Sequence, residues 1–195
     1  MPYDPDRYHR RSIRLKDYDY SQAGAYFVTV CTQGHECLFG EINDGIMHPS
    51  PFGAIVQACW DDLPNHYPNV ELDAFAIMPN HVHGIVVLAD PGVGAGSPRP
   101  NESARPDRAG EPCPYTRIVT PALGHIIAYF KYQSAKRINR LRGTAGFRVW
   151  QRNYYEHIIR SRKSLDAIRR YIEDNPIQWP FDSENPSNIR TEGPR

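Results

Sequence analysis

Residues 76–88 read AIMPNHVHGIVVL, a short turn followed by two histidines and an apolar run. In an extended strand the side chains alternate between two faces, so His81 and His83 point the same way and Val82 points into the core. Two imidazoles on one face, about 7 Å apart along a strand, are able to bind one divalent metal ion. The alternative is a pair of surface histidines beside a buried strand, and the rest of the chain decides between the two interpretations.

The composition is typical of one globular domain with a sizeable core, because 40% of the 195 residues are hydrophobic and 11% are aromatic. No apolar run approaches about 20 residues, which excludes a membrane span, and the first residues hold no apolar signal core. The four cysteines form no CxxC pair. We therefore interpret them as reduced thiols of a cytoplasmic protein.

Basic residues are segregated along the chain, although the net charge is only +1. Residues 17–98 include no lysine or arginine, whereas residues 131–170 include twelve basic and only two acidic residues. The basic run is interleaved with aromatic residues, which favours a surface for a polyanion, with nucleic acid as the first candidate. The alternative is a solvated basic helix face.

The hydrophobic pattern predicts the order strand, helix, strand, strand, helix, strand and terminal helix. The elements are expected as strands at 25–32, 70–78, 81–88 and 154–159, a helix opened by Ser50-Pro51, and helices at 119–141 and 165–175. The first six elements match an α+β fold, the ferredoxin-like β-α-β-β-α-β sandwich with one antiparallel sheet and two helices on one face. We expect the terminal helix on the other face, against His81 and His83.

Smaller features complete this expectation. A hairpin turn is predicted at Asn43-Asp44-Gly45, and an extended segment at 147–150. The terminal helix is expected to be capped by Ser164 and to stop at Pro176, because a residue before proline is pushed out of the helical region. We divide the chain into a basic N-terminal arm at 1–22, one domain at 23–179 with a flexible Gly- and Pro-rich insertion at 89–117, and a loose polar tail at 180–195.

The terminal helix brings two further polar residues to the histidine pair. Tyr171 and Asn175 are four residues apart and share one helix face. Asn175 could supply an oxygen ligand to a metal held by the histidines, and this donor set suits Mg²⁺ or Mn²⁺. The Tyr171 hydroxyl could attack a phosphate and form a covalent intermediate. The alternatives are a tyrosine at the edge of the core and an asparagine that helps to end the helix.

Other residues compete for these roles. Tyr154 and Tyr155 are rival nucleophiles, but neighbouring strand residues face opposite ways, so at least one of them should pack. Glu156 and His157 form either a structural pair or a second layer of support for the site.

Five short motifs together resemble the HUH single-tyrosine transposases, and within them the REP-associated tyrosine transposases. These motifs are Tyr26-Phe27-Val28-Thr29, Met78-Pro79-Asn80-His81-Val82-His83, Trp150-Gln151, Tyr154-Tyr155-Glu156-His157 and Tyr171-Ile172-x-x-Asn175-Pro176. The resemblance extends from about Arg11 to Trp179. A histidine pair followed by Tyr-Ile-x-x-Asn-Pro on a terminal helix is much more specific than the pair alone.

The resemblance implies a ferredoxin-like nuclease whose C-terminal helix carries the nucleophile. Such a protein is a metal-dependent single-stranded DNA endonuclease and strand transferase that cleaves near REP-like hairpins. His81, His83 and Asn175 would hold the metal, and Tyr171 would form a 5′-phosphotyrosine and leave a free 3′-hydroxyl. The implied partner is single-stranded DNA with a hairpin, bound by a monomer or a homodimer away from any membrane.

Basic residues from two regions are the candidates for DNA contacts: Arg10, Arg11, Arg14 and Lys16 in the arm, and Lys131, Lys136, Arg137 and Arg140 in the second long helix. Two other functions remain open from the residues. A non-catalytic single-stranded nucleic-acid-binding module on the same sandwich would stack bases on sheet aromatics such as Tyr26. A small metallohydrolase acting through activated water would need a further carboxylate ligand, with Glu156 as the obvious choice.

Overall fold

The structure is a computed structural model that describes residues 18–89 and 121–188. Within these residues the chain forms six strands and four α-helices, in the order β1 (Gly24–Cys31), β2 (Gly40–Asn43), β3 (Ile46–Pro49), α1 (Pro51–Asp61), α2 (Leu63–His66), β4 (Val70–Ile77), β5 (His81–Leu88), α3 (Leu123–Arg142), β6 (Tyr155–Ile159) and α4 (Arg162–Gln178). Ser50 caps α1 as predicted, since its side chain accepts hydrogen bonds from the first turn.

Four strands form one antiparallel sheet in the order β4-β5-β1-β6. This order, with helices between β1 and β4 and between β5 and β6, is that of the ferredoxin-like sandwich, so the predicted fold class is confirmed. The β2–β3 hairpin forms a separate small sheet. Its turn is the predicted one, with positive φ at Asp44 and Gly45.

The sheet face toward α1 and α3 carries the main apolar core. Trp60 of α1 stacks on Phe75 of β4, with ring centroids 4.5 Å apart, and meets Phe130 of α3 edge-on. Gly84 of β5 leaves the space for this stack, because a Cβ atom at Gly84 would lie 2.4 Å from the Trp60 ring. Close packing of this kind allows little change in side-chain volume.

The opposite sheet face is covered by α4, as predicted. Ile172 of α4 packs on Phe27 and Ile85, and all three side chains are buried. Farther along the helix, Arg169 donates hydrogen bonds to both carboxylate oxygens of Asp73, which lies where the register between β4 and β5 shifts. An apolar contact and a charged pair therefore fix α4 on the face that carries the histidines.

The predicted ends of the terminal helix are wrong at both sides. The N-cap is Ser161, whose hydroxyl accepts from the Ser164 backbone N–H, and the helix continues through Pro176 to Gln178. A proline removes one intrahelical hydrogen bond. The contacts of Ile172 and Asn175, both buried on the sheet side, hold the last turn in place despite that loss.

Residues 179–188 differ from the expected loose tail. They form a 3-10 turn at Trp179–Phe181 and a series of turns that return to the sheet. The extended segment expected at 147–150 is reduced to one bridge between Thr32 and Trp150. In the part of the chain that the structure describes, no helix is both long and apolar enough to cross a bilayer.

Several predictions lie outside the described residues. They concern most of the N-terminal arm with Arg10, Arg11, Arg14 and Lys16, nearly all of the 89–117 insertion, and the end of the tail.

Candidate metal centre and tyrosine site

The two histidines converge on one point beneath α4. They lie on β5 opposite Cys31 and Thr29 of β1, and both side chains are buried. The Nε2 atom of His81 is 3.0 Å from the Nε2 atom of His83. Their Nδ1 atoms point away from this gap toward protein partners, so the two Nε2 atoms face each other within hydrogen-bond distance.

Each histidine is oriented through its Nδ1 atom. His81 Nδ1 lies 2.8 Å from Asn80 Oδ1, and His83 Nδ1 lies 2.8 Å from Thr29 Oγ1. Because an amide oxygen only accepts hydrogen bonds, His81 carries its proton on Nδ1 and keeps a lone pair on Nε2. A hydroxyl both donates and accepts, so Thr29 suits either tautomer of His83. Partners of this kind fix the direction of imidazole ligands in metal sites.

Asn80 is itself held firmly. Its side chain is fully buried, and its Nδ2 atom donates to the backbone oxygens of His35 at 3.2 Å and Glu184 at 2.6 Å. These two acceptors leave only Oδ1 to face His81. The residue before the first histidine therefore links that ligand to the returning C-terminal segment.

Both histidines are neutral at pH 7. Burial lowers the pKa of His83 to about 4. Burial, with smaller effects of His83 and His35, lowers the pKa of His81 to about 2. Neutral imidazole is the form that binds metal ions, so no proton has to leave these ligands at neutral pH.

Tyr171 of α4 reaches this point, and Asn175, one turn later on the same helix, forms a hydrogen bond with the Tyr171 hydroxyl. The Tyr171 ring lies edge-on to His83, with centroids 5.2 Å apart, and half of the side chain is exposed. Asn175 is 2% exposed, and its Oδ1 atom has no hydrogen-bond partner among the described residues. An unpaired buried amide oxygen is costly, and it is the kind of atom that a cation would satisfy.

The Tyr171 hydroxyl is in a mixed environment. Partial burial raises its pKa, the nearby acidic side chains of Asp182 and Glu184 raise it further, and a hydrogen bond from Asn175 lowers it. The phenol is therefore protonated at neutral pH, and it is close both to the histidines and to solvent.

Asp182 is a residue that the sequence analysis missed. Its Oδ2 atom lies 3.8 Å from His81 Nε2, and ligand atoms of His81, His83 and Asp182 all lie within 4.8 Å of one another. Burial raises the pKa of the Asp182 carboxyl. No local pattern marks it, because it stands in a polar stretch that only the turn after α4 brings back to the sheet.

The rival residues fall on different sides of the sheet. Tyr155 pairs with Thr29 on β1 and is exposed on the histidine face, beside Phe27. Tyr154 packs against the main core. Glu156 pairs with Val28 and is buried on the side of α1 and α3, so it does not reach the histidines. His157 is exposed.

The predicted basic contacts of α3 lie on the other side of the sheet from the histidines. Lys131 is turned inward, and its Nζ atom donates to the backbone oxygens of Gln151 and Arg152 at 2.6 and 3.0 Å. Burial lowers the pKa of Lys131 to about 8. Lys136, Arg137 and Arg140 are all exposed, and Arg137 lies 4.0 Å from Asp62.

No protein-family model matches the chain. Over 181 aligned residues the chain is 39% identical to an uncharacterized protein of Haemophilus influenzae. The alignment covers 92% of this chain and 95% of that protein. The chain belongs to the family of that protein.

Among solved structures, the chain is similar to a REP-associated tyrosine transposase bound to a REP hairpin, with a TM-score of 0.54 over 86% of this chain and 74% of the other. The sequence identity is 17%, so this likeness concerns the fold. The resemblance stated from the sequence motifs is thus confirmed as a shared fold.

Proposed function

We propose that the protein is a metal-dependent single-stranded DNA endonuclease and strand transferase that cleaves near hairpins through a covalent 5′-phosphotyrosine. The observation that carries the proposal is the convergence of two oriented histidine Nε2 atoms, 3.0 Å apart, beside the half-exposed Tyr171. A structural role alone does not require a buried histidine pair with a carboxylate, that of Asp182, in reach of both rings.

The residues fit a divalent metal. His81 and His83 would contribute two nitrogens, and Asn175 would contribute its buried oxygen, which has no hydrogen-bond partner within residues 18–89 and 121–188. Asp182 adds a carboxylate within reach of both histidines. A set of two imidazoles with oxygen ligands suits Mn²⁺ or Mg²⁺. The bound metal would neutralise charge on the scissile phosphate and fix its orientation.

Tyr171 would be the nucleophile. Its Oη atom forms a bond to phosphorus, the bond between phosphorus and the 3′ oxygen breaks, and the tyrosine proton passes through solvent to the departing 3′ oxygen. Asn175 helps this step, since its hydrogen bond lowers the pKa of the Tyr171 phenol. The phosphodiester energy is kept in the phosphotyrosine bond, which allows a later rejoining to another 3′-hydroxyl.

The DNA partner is proposed from charge and from the neighbouring structure. That neighbour binds a REP hairpin, and we propose a DNA hairpin with adjacent single strand as the substrate here. Lys136 and Arg140 of α3 are the exposed basic side chains proposed for backbone contacts. The same role is proposed for the arm residues Arg10, Arg11, Arg14 and Lys16.

The test uses hairpin DNA from the repeats that flank the gene, labelled at either the 5′ or the 3′ end. With Mn²⁺ or Mg²⁺ we expect a denaturation-resistant protein adduct that retains the 3′-side fragment, and with EDTA we expect none. Tyr171→Phe should bind the hairpin normally and form no adduct. Tyr155→Phe is the matched control, because Tyr155 is an exposed tyrosine on the same sheet face.

Two results would contradict the proposal. An adduct formed by Tyr171→Phe but not by Tyr155→Phe would move the nucleophile to β6. A mobility shift without adduct, unchanged by EDTA, would indicate a binding module without nuclease activity.

A further inference from the structure

A cavity of about 580 Å³ opens on the outer side of α3, away from the histidine pair. It lies between the second half of the helix and the loop that follows it. Its lining includes one aromatic ring, two cations, an amide and two glycines: Tyr132, Lys136, Asn139, Arg140, Gly143 and Gly146. Its volume is in the range of small-ligand sites, roughly 300–1,000 Å³.

Three of these side chains form a stripe along the helix. Tyr132, Lys136 and Arg140 follow one another at four-residue steps, so they stand on one face and span about 12 Å. The Tyr132 side chain is 62% exposed, which is unusual for so large a ring. Lys136 Nζ lies 5.8 Å from the centre of that ring. An exposed aromatic face is thus followed at once by two positive charges.

The far wall of the cavity is fixed by backbone geometry. Asn139 Nδ2 donates to the backbone oxygen of Phe147 at 2.8 Å and thereby holds the loop against the helix. Gly143 ends α3 with a φ of 70°, and Gly146 has a φ of 78°. Both glycines leave open space where a Cβ atom would stand. The glycine turn and the Asn139 hydrogen bond therefore form one wall of the cavity.

The charges of the cavity differ from the other basic groups of α3. The Lys131 ammonium donates a hydrogen bond to a loop carbonyl, and Arg137 lies beside Asp62. Among residues 18–89 and 121–188, no carboxylate forms an ion pair with Lys136 or Arg140. Two cations that form no ion pair within these residues, next to an exposed ring, match a ligand that combines negative charge with an aromatic plane.

We propose that this cavity binds one unpaired nucleotide of a single DNA strand, with its base stacked on Tyr132 and its flanking phosphates at Lys136 and Arg140. Stacking on an aromatic side chain combined with cationic contacts to the backbone is the general mode of single-strand binding. The proposal rests on the proposed function for its DNA partner. The proposal adds a DNA-binding site on the side of the sheet opposite the histidine pair. This site would hold unpaired DNA away from the cleaved phosphate.

The experiment measures binding by fluorescence anisotropy with two labelled oligomers of about 16 nucleotides, one oligothymidylate and one abasic, both in EDTA. Tyr132→Ala should weaken oligothymidylate binding about tenfold and leave abasic binding unchanged. Tyr132→Phe retains the ring and should bind like the wild type. Lys136→Gln and Arg140→Gln should weaken both oligomers and reduce the salt dependence, with Arg162→Gln as the control for loss of one exposed charge.

The outcomes separate this site from the proposed function. If the wild type and Tyr132→Ala bound each oligomer with the same affinity, the base site would be overturned. If, in addition, Lys136→Gln and Arg140→Gln weakened binding, the surface would bind phosphates only. Loss of base-dependent binding in Tyr132→Ala with normal adduct formation on hairpin DNA would support the base site. A wild type that binds neither oligomer nor hairpin would contradict the proposed function itself. Circular dichroism confirms that each variant is folded.

Discussion

On the side of α1 and α3, the central sheet buries Trp60 and Phe130 in an apolar core; on the side of α4, the same strands bury His81, His83 and Asn175. Side chains alternate along β5, so Val82 faces the side of α1 and α3, whereas its neighbours His81 and His83 face α4. The strand β5 therefore contributes side chains to both the apolar core and the histidine site.

The difference between the faces concerns how their buried groups are satisfied. The apolar face gains its stability from contact area and dense packing. The α4 face contains a buried Asn175 oxygen with no hydrogen-bond partner among the described residues, and two buried imidazoles whose Nε2 atoms lie 3.0 Å apart. A buried oxygen without a partner costs stability unless it meets a ligand. Substitutions in the main core should accordingly change stability, whereas substitutions around the histidine pair should change metal affinity.

The largest expected effect is on the apolar face. Trp60→Ala removes the ring that fills the space above Gly84, and the free energy of unfolding should fall by about 3–5 kcal/mol. Urea denaturation followed by circular dichroism measures this loss. The Mn²⁺ affinity of the protein that remains folded should be unchanged, because Trp60 lies across the sheet from the histidines.

Ile177→Ala serves as the control for this variant. Ile177 is 63% exposed near the end of α4, so its truncation should change stability by less than about 0.5 kcal/mol. A Trp60→Ala protein that loses Mn²⁺ affinity as strongly as stability would show that the two faces are not independent.

The next effect concerns the orientation of a histidine. Asn80→Leu removes the acceptor for His81 Nδ1 and the donor to the Glu184 carbonyl. Metal affinity should fall about 10–100-fold, the usual consequence of losing a group that orients a ligand. Titration with Mn²⁺, followed by electron paramagnetic resonance, measures the affinity directly.

Asn139→Leu is the matched control, since Asn139 also donates to a backbone carbonyl but lies at the end of α3. It should bind Mn²⁺ like the wild type. Equal Mn²⁺ affinity in Asn80→Leu and the wild type would mean that β5 alone orients His81.

Local periodicity explains which parts of the site were predictable. The two-residue repeat of a strand places His81 and His83 together, and the four-residue step of a helix does the same for Tyr171 and Asn175. The apolar patterns also predicted that α4 lies over the histidines, since one sheet face needed a cover. Their chemical roles stay predictions that the adduct assay tests.

The rest depends on long-range packing. The rule that a helix stops before proline placed the end of α4 at residue 175, whereas buried contacts carry it to Gln178. That extension, with the turn after it, returns Asp182 to His81. Likewise, strand alternation predicts that Glu156 and His157 face opposite ways, but only the register with Val28 shows that Glu156 faces the apolar side.

The smallest expected effect concerns the anchor of α4. The hydrogen bonds from Arg169 are the main cause of the lowered pKa of the Asp73 carboxyl. The ionised pair therefore stabilises the folded state above the ordinary Asp pKa of 3.8, and this contribution is lost as the pH falls through the lowered value. Arg169→Met should cost about 1 kcal/mol at neutral pH and progressively less in acid. Urea denaturation across that pH range measures both values.

The control for this charge effect is Arg162→Met. Arg162 is 85% exposed and lies 3.8 Å from Asp166, so its loss should change stability by only a few tenths of a kcal/mol. If the cost of Arg169→Met were the same at every pH, the arginine would act through packing of its apolar stem on β4 and not through the Asp73 carboxylate. If the cost vanishes in acid, the contribution of Arg169 comes from the ion pair with Asp73, which joins α4 to the sheet together with the apolar contacts of Ile172.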